Sequence, residues 1–235
     1  MFFDPLWLVF SLPALLLMLW AQARTHGAYA KYAEVLNVQG LPGWRVARAI
    51  LDAHGLYDVA IEEVPGELTD HYDPTTRTLR LSSGVARVPS VAAMGVAAHE
   101  TGHALQHATG YLPLRARSGL VPVVQLGSTI GWAALAAGFL LHAASLVWLG
   151  VALFSSGALF ALVTLPVEYD ASRRALAALQ ALGLVGPSEY EGAREVLSAA
   201  AWTYVAGFLQ TLSQLLYFVF QAIGMSRRDD WSASD

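Results

Sequence analysis

The chain has 235 residues, of which 55% are hydrophobic and only 14% are charged, and its mean hydropathy is +0.46. A soluble domain normally carries about 25% charged residues, so this composition predicts a membrane protein. The net charge of −4 excludes the basic field of a nucleic-acid-binding protein, and the absence of cysteine excludes disulfides and thiolate ligands. Any metal site must therefore use His, Asp or Glu.

The first segment is an apolar stretch with Trp7 near its start and Trp20 at its end, both typical anchors at a membrane interface. A cleaved signal peptide is the alternative, because small residues around position 22 resemble a cleavage site. Signal peptides begin with Lys or Arg, however, and Asp4 precedes this stretch instead. We therefore favour a retained transmembrane anchor helix over residues 1–22.

Residues 23–118 are predicted to form a small extramembrane α+β unit of the zincin type. The turn residues Asp73 and Pro74, between two apolar runs, predict a short β-hairpin. The spacing of apolar residues predicts the elements of this unit as helices at 29–36, 44–53 and 90–108, and strands at 59–64, 68–72 and 78–82.

The last of these helices carries a His-Glu-x-x-His sequence formed by His99, Glu100 and His103. Residues four apart lie on one face of a helix, about 6 Å apart along its axis, so both imidazoles can converge on one Zn²⁺ ion. Glu100 can then accept a proton from a metal-activated water. A longer pattern with Gly seven and His ten residues after the first His is excluded, because Gln106 and Thr109 occupy those positions.

Two further runs contain no charged residue, at positions 118–167 and 196–226. A helix needs roughly 20 apolar residues to cross a bilayer, so the first run is long enough for two spans and the second for one. The segments predicted on this basis are a transmembrane helical hairpin at 119–166, a helical segment at 167–198, a transmembrane helix at 199–225 and a polar tail at 226–235.

Four spans place residues 23–118 and 167–198 on the same side of the membrane. Every Lys and Arg lies on that side except Arg227 and Arg228. The positive-inside rule therefore predicts a protein of the cytoplasmic membrane with its site facing the cytoplasm. The predicted fold class is a predominantly α membrane protein, with about four transmembrane helices and one small α+β unit.

A catalytic zinc has three protein ligands and one open position, so the two imidazoles require a third partner. Glu168 is the first charged residue after the longer uncharged run. If both helices of the hairpin cross the membrane, Glu168 lies on the same side as His99 and His103. A carboxylate at the end of a helix in the lipid interface is the alternative for a lone Glu. We predict Glu168 as the third ligand of a single Zn²⁺.

The chain resembles the YugP-like family of neutral zinc metallopeptidases and is more distantly similar to HtpX-type and CAAX-prenyl-protease-type gluzincins. The resemblance implies His99, His103 and Glu168 as zinc ligands and Glu100 as the catalytic base. The stretches that carry it are MFFDP at 1–5, VPGELTDHYDP at 64–74, GVAAHETGHA at 95–104 and LPVEYDASRRAL at 165–176.

One position departs from the more distant relatives, which often have Asp four residues after the ligand Glu. This chain has Ser172 there. A ligand histidine usually donates its second ring nitrogen to a supporting acceptor. Asp170 and Ser172 are both candidates for that role.

The expected function is that of an integral-membrane zinc endopeptidase acting on membrane-proximal or misfolded polypeptides. Its expected partners are a polypeptide substrate and the lipid bilayer, with no nucleic acid. The alternative is a non-catalytic membrane scaffold with a structural zinc, which would need no base such as Glu100.

An extended peptide is expected to add as a strand beside residues 70–73. The candidates for stabilising the oxyanion are His71, Tyr72, Tyr111, Arg173 and Tyr204.

Overall fold

The computed structural model describes residues 5–232. The start of the predicted anchor, with most of the MFFDP stretch, and the last three residues of the predicted tail lie outside the described residues. In chain order the elements are α1 (Pro5–Ala33), α2 (Gly43–Ala53), β1 (Ala60–Val64), β2 (His71–Asp73), β3 (Thr78–Ser82), α3 (Ser83–Ala86), α4 (Val91–Ala108), α5 (Leu112–Leu141), α6 (Ala144–Ala181) and α7 (Pro187–Ser232).

The chain divides into two compact units. One, the membrane unit, comprises Met1–Trp20, Ala116–Thr164 and Tyr204–Asp235. The other, the site unit, comprises Ala21–Arg115 and Leu165–Thr203. Helices α1, α5, α6 and α7 each contribute residues to both.

Four helices of the described chain are long and apolar enough to cross a membrane. Together with the small sheet, they confirm the predicted fold class of a mainly helical membrane protein. The predicted segment boundaries at residues 22, 118, 166 and 198 fall inside helices, and these boundaries stay a prediction. A change from apolar to polar side chains does not interrupt backbone hydrogen bonding, so one helix continues through it.

Within the membrane unit, glycines allow α5 and α6 to pack closely. A Cβ added at Gly150 would lie 2.9 Å from the backbone nitrogen of Leu135, and one at Gly127 would lie 3.0 Å from the carbonyl oxygen of Leu153. Close approach through small residues is a common way for helices to associate in lipid. These glycines therefore serve packing within the chain.

The site unit contains a three-stranded sheet in the order β1-β3-β2. Strand β1 runs parallel to β3, and β2 pairs with β3 in antiparallel register, with Tyr72 opposite Leu79. The predicted hairpin is therefore confirmed. Asp73 stabilises its turn, because its carboxylate accepts hydrogen bonds from the backbone and the hydroxyl of Thr76 and from the backbone of Thr75.

The core of the site unit is formed by β3, α2 and α4, with Ile50, Leu79 and Met94 almost fully buried. Helix α4 begins where the Ser90 hydroxyl accepts a hydrogen bond from the backbone nitrogen of Ala93, a cap worth about 1 kcal/mol. The helix predicted at 90–108 is thus confirmed, and the chain leaves it through Gly110 at a positive φ of 63°.

Candidate metal centre

Helix α4 presents His99 and His103 one turn apart, with their ring centroids separated by 4.9 Å. The helix can be buried this deeply because small residues predominate along its packed faces. Gly102 is the tightest of these positions, since a Cβ there would lie 2.4 Å from the carbonyl oxygen of Ala171 on α6. The missing side chain lets α6 approach the two histidines.

Helix α6 contributes Glu168, which is almost fully buried at 3% exposure. Its Oε2 atom lies 3.2 Å from the Nε2 of His99 and 3.5 Å from the Nε2 of His103. One donor atom from each residue lies within 4.8 Å of the other two. The three side chains thus share one small volume, as a common ligand would require.

These distances fit zinc. Ligands placed about 2.0–2.1 Å from a tetrahedral ion are separated from one another by about 3.3–3.4 Å. The two separations between the carboxylate oxygen and the imidazole nitrogens lie close to that value. Two nitrogens and one oxygen are also the donor set of many catalytic zinc sites, which leave a fourth position open.

Glu100, the residue after His99, does not join this group of donor atoms. Its side chain is partly buried, and burial raises the pKa of its carboxyl, while the neighbouring His99 and His103 act in the opposite direction. No hydrogen bond occupies its carboxylate within the described residues. A carboxyl with a raised pKa beside a metal site is suited to accept and release a proton.

Comparison with known proteins agrees with this geometry. Residues 7–223 match a family model described as "Putative neutral zinc metallopeptidase". The chain belongs to this family. It is also 44% identical to the "Putative membrane protease YugP" of Bacillus subtilis (strain 168), over 96% of this chain and 99% of the relative. No solved structure matches the chain significantly.

In this chain, Gln106 determines which nitrogen of His103 is free. The Gln106 side-chain nitrogen donates to the carbonyl of Val167 at 2.7 Å and to Asp170 at 3.0 Å, so its Oε1 must be the atom facing His103. That oxygen lies 3.0 Å from the Nδ1 of His103 and can only accept. The proton therefore lies on Nδ1, and Nε2 presents a lone pair to the metal.

The predicted supporting residues divide between the two histidines that are predicted to be ligands, His99 and His103. Ser172 lies 3.0 Å from the Nδ1 of His99. Asp170 acts on His103 through Gln106 and is itself held by ion pairs with Arg173 and Arg174.

Neighbouring charges also change the pKa of the His103 imidazole when no metal is bound. Burial lowers the pKa of its imidazole, but the hydrogen bond to Glu168 and the charge of Glu100 outweigh burial, so the pKa is raised overall. A proton would therefore compete with a metal ion for this side chain. The competition weakens as the pH rises.

The candidates for stabilising the oxyanion occupy different surroundings. The Tyr72 hydroxyl lies 2.9 Å from the Nδ1 of His107, one turn beyond His103 on α4. His71 is exposed and bonds to the carbonyl of its neighbour Thr69. The remaining candidates are Tyr111, whose hydroxyl is 3.5 Å from the carbonyl of Pro166, Arg173, which is mostly exposed, and Tyr204, which belongs to the membrane unit.

Sequence reasoning did not assign a role to Gln106, although it is fully buried and bonds to a ligand histidine. A signal was present, because Gln106 lies three residues after His103 and therefore on the same helix face. A long polar side chain on the buried face of an apolar helix requires partners, and here the partners are on α6.

Proposed function

We propose that this membrane metallopeptidase is a zinc-dependent endopeptidase in which Glu100 is the general base. The observation that carries the proposal is the convergence of His99, His103 and Glu168 on one volume, with the Glu100 carboxylate next to it making no hydrogen bond to the described residues. A purely structural zinc site would be closed by a fourth protein ligand and would need no neighbouring base.

The residues of the chain have distinct roles in peptide hydrolysis. His99, His103 and Glu168 would hold the metal, which when bound supplies a Lewis acid that polarises the scissile carbonyl and acidifies water toward a pKa of about 7. Glu100 accepts the proton of the attacking water and delivers it to the nitrogen of the leaving amine. Gln106 keeps the His103 ring in the tautomer that binds metal.

The substrate is proposed to be an extended polypeptide that adds to the sheet beside β2. This strand lies at one end of the strand order and pairs with β3 alone among the described strands. An edge strand offers backbone hydrogen bonds to any sequence and specificity through alternate side chains. If exchanging Tyr72 and Asp73 left the cleavage-site preference unchanged, β2 would not be the binding strand.

The proposed location is the cytoplasmic membrane with the site on the cytoplasmic side. All Lys and Arg residues except Arg227 and Arg228 belong to the predicted cytoplasmic segments, as the positive-inside rule requires. The ligand Glu168 follows an uncharged run within one continuous helix, which favours membrane-proximal or misfolded segments as substrates.

The decisive test is Glu100→Gln in the full chain, with Glu34→Gln as the matched control. Glu34 is an exposed residue of the site unit, so its replacement makes the same charge change away from the metal. Peptidase activity should fall by about 10²–10⁴-fold for Glu100→Gln, because that is the usual contribution of a general base. Zinc content should stay equal to that of the control. Retained activity would show that Glu100 is not the base.

A further inference from the structure

A cavity of the site unit lies between α6 and α7, which are joined by residues 182–186. Its volume is about 260 Å³, just below the roughly 300–1,000 Å³ of typical small-molecule sites. Its polar lining comes from Tyr169 and Arg173 on α6 and from Tyr190, Arg194 and Ser198 on α7. We call it the α6–α7 groove.

Two guanidinium groups flank this groove. Among the described residues, Arg173 and Arg194 each pair with a carboxylate on their own helix alone, Asp170 and Glu191, and their side chains are 79% and 61% exposed. Asp170 is moreover shared with Arg174. A guanidinium has five N–H donors, so most donors of both arginines remain free to bind another acceptor.

Three hydroxyl groups add to this set of donors. The hydroxyls of Tyr169, Tyr190 and Ser198 make no hydrogen bond with any described residue of the chain. Two cations together with several unused donors suit a ligand that has negative charge and several acceptor oxygens. A phosphate group has this chemistry.

The rest of the groove and its place along the helices indicate the source of the phosphate. Leu176, Leu197 and Ala201 give it an aliphatic wall, which suits the apolar part of a lipid. Both lining helices continue without interruption into the uncharged segments of the chain. Tyrosine and arginine are common where a helix leaves the lipid, at the level of the phosphates.

We propose that the α6–α7 groove binds the phosphate headgroup of an anionic phospholipid of the phosphatidylglycerol class. The proposal goes beyond the peptidase function and depends on neither the metal nor Glu100. Ser172 forms part of the groove and also bonds to His99. A bound lipid would therefore lie one side chain away from a zinc ligand.

The test measures binding of short-chain phosphatidylglycerol and phosphatidylcholine to the full chain in an uncharged detergent by native mass spectrometry. The informative variants are Arg194→Gln, which removes one flanking charge, and Tyr190→Phe, which removes only a hydroxyl. Arg87→Gln is the matched control, because Arg87 is also exposed and paired with a single carboxylate, that of Glu63. Phosphatidylglycerol should bind preferentially, and Arg194→Gln should weaken it about fivefold, the effect of one arginine near a membrane surface.

Equal binding of the two lipids, or equal binding by Arg194→Gln and Arg87→Gln at matched melting temperatures, would overturn the proposal. Two competition experiments test whether the groove binds a different anionic ligand, either free phosphate or an acidic peptide. Displacement of the lipid by an equal concentration of inorganic phosphate would assign the groove to the free ion. Displacement by an acidic peptide would assign it to the substrate. Neither competitor is expected to displace the lipid. The test measures lipid binding and not peptidase activity, so its outcome is independent of that of the Glu100→Gln variant.

Discussion

The Nδ1 atom of His103 lies 3.0 Å from the Oε1 atom of Gln106, and the amide nitrogen of Gln106 is committed to Val167 and Asp170 on another helix. Helix α6 thus carries one proposed zinc ligand, Glu168, and fixes the ring of a second, His103, through the Gln106 amide.

Gln106→Leu should weaken zinc binding by about 10–100-fold, the usual cost of removing a partner behind a ligand histidine. The measurement is competition with a chromophoric chelator. Thr101→Val is the matched control, because Thr101 is equally buried on α4 but its hydroxyl bonds, within the described part of the chain, to the carbonyl of Ala97 alone. Equal zinc affinity in the two variants would mean that Gln106 does not hold the His103 tautomer.

Ser172→Ala should weaken zinc binding by about tenfold, at the lower end of the same range, because a hydroxyl both donates and accepts and so fixes the His99 ring less firmly. Ser172→Asp should bind zinc at least as tightly as the natural chain, since a carboxylate can only accept from Nδ1. Ser188→Ala, at an exposed position of α7, is the control. The idea fails if Ser172→Asp binds zinc less tightly than Ser172→Ala.

Gly102→Ala should lower the free energy of unfolding by about 1–3 kcal/mol and reduce zinc occupancy, because the new Cβ would push α6 away from α4. Thermal unfolding in detergent and metal analysis are the measurements. Gly27→Ala in α1 serves as the control, since a Cβ there meets nothing within 4 Å. That variant should be as stable as the natural chain or more so. Similar behaviour of the two variants would argue against close packing at Gly102.

Removal of zinc should make stability depend on pH through His103. Its pKa in the folded, metal-free protein is raised above the ordinary value of 6.5, so the stabilising contribution is complete below that value and is lost as the pH rises through the folded pKa. Zinc requires the neutral ring, so the stabilisation that zinc provides increases as the pH rises, opposite to the contribution of the His103 proton. Chelated protein should therefore melt lower at about pH 8.5 than at about pH 6.

The control for this pH effect is His103→Gln, which should lose most of the difference between the two conditions after chelation. Melting temperatures with and without chelator provide the measurement. If the natural chain and His103→Gln changed equally with pH, other groups would be responsible.

Local patterns account for what the sequence could predict. The fold class followed from the distribution of charge, the α4 helix from the spacing of apolar residues, and the β2–β3 hairpin from the turn residues at Asp73 and Pro74. The spacing of His99 and His103 identified a metal-binding face, and the position of Glu168 after an uncharged run suggested the third ligand.

Contacts between distant segments could not be predicted in the same way. The parallel pairing of β1 with β3 depends on packing, because no turn joins these two strands directly. The role of Gln106 depends on the carbonyl of Val167, which lies 61 positions further along the chain. The approach of α6 at Gly102 likewise appears only when both helices are in place.

The uninterrupted course of α6 has a consequence for how the protein matures. The polypeptide up to Arg115 contains His99, Glu100 and His103 but not Glu168, which belongs to α6 and is synthesised only after α5. With the proposed ligands, a chain that ends before Glu168 would lack the third metal-binding side chain, so the metal centre would be completed only after α6 has been synthesised.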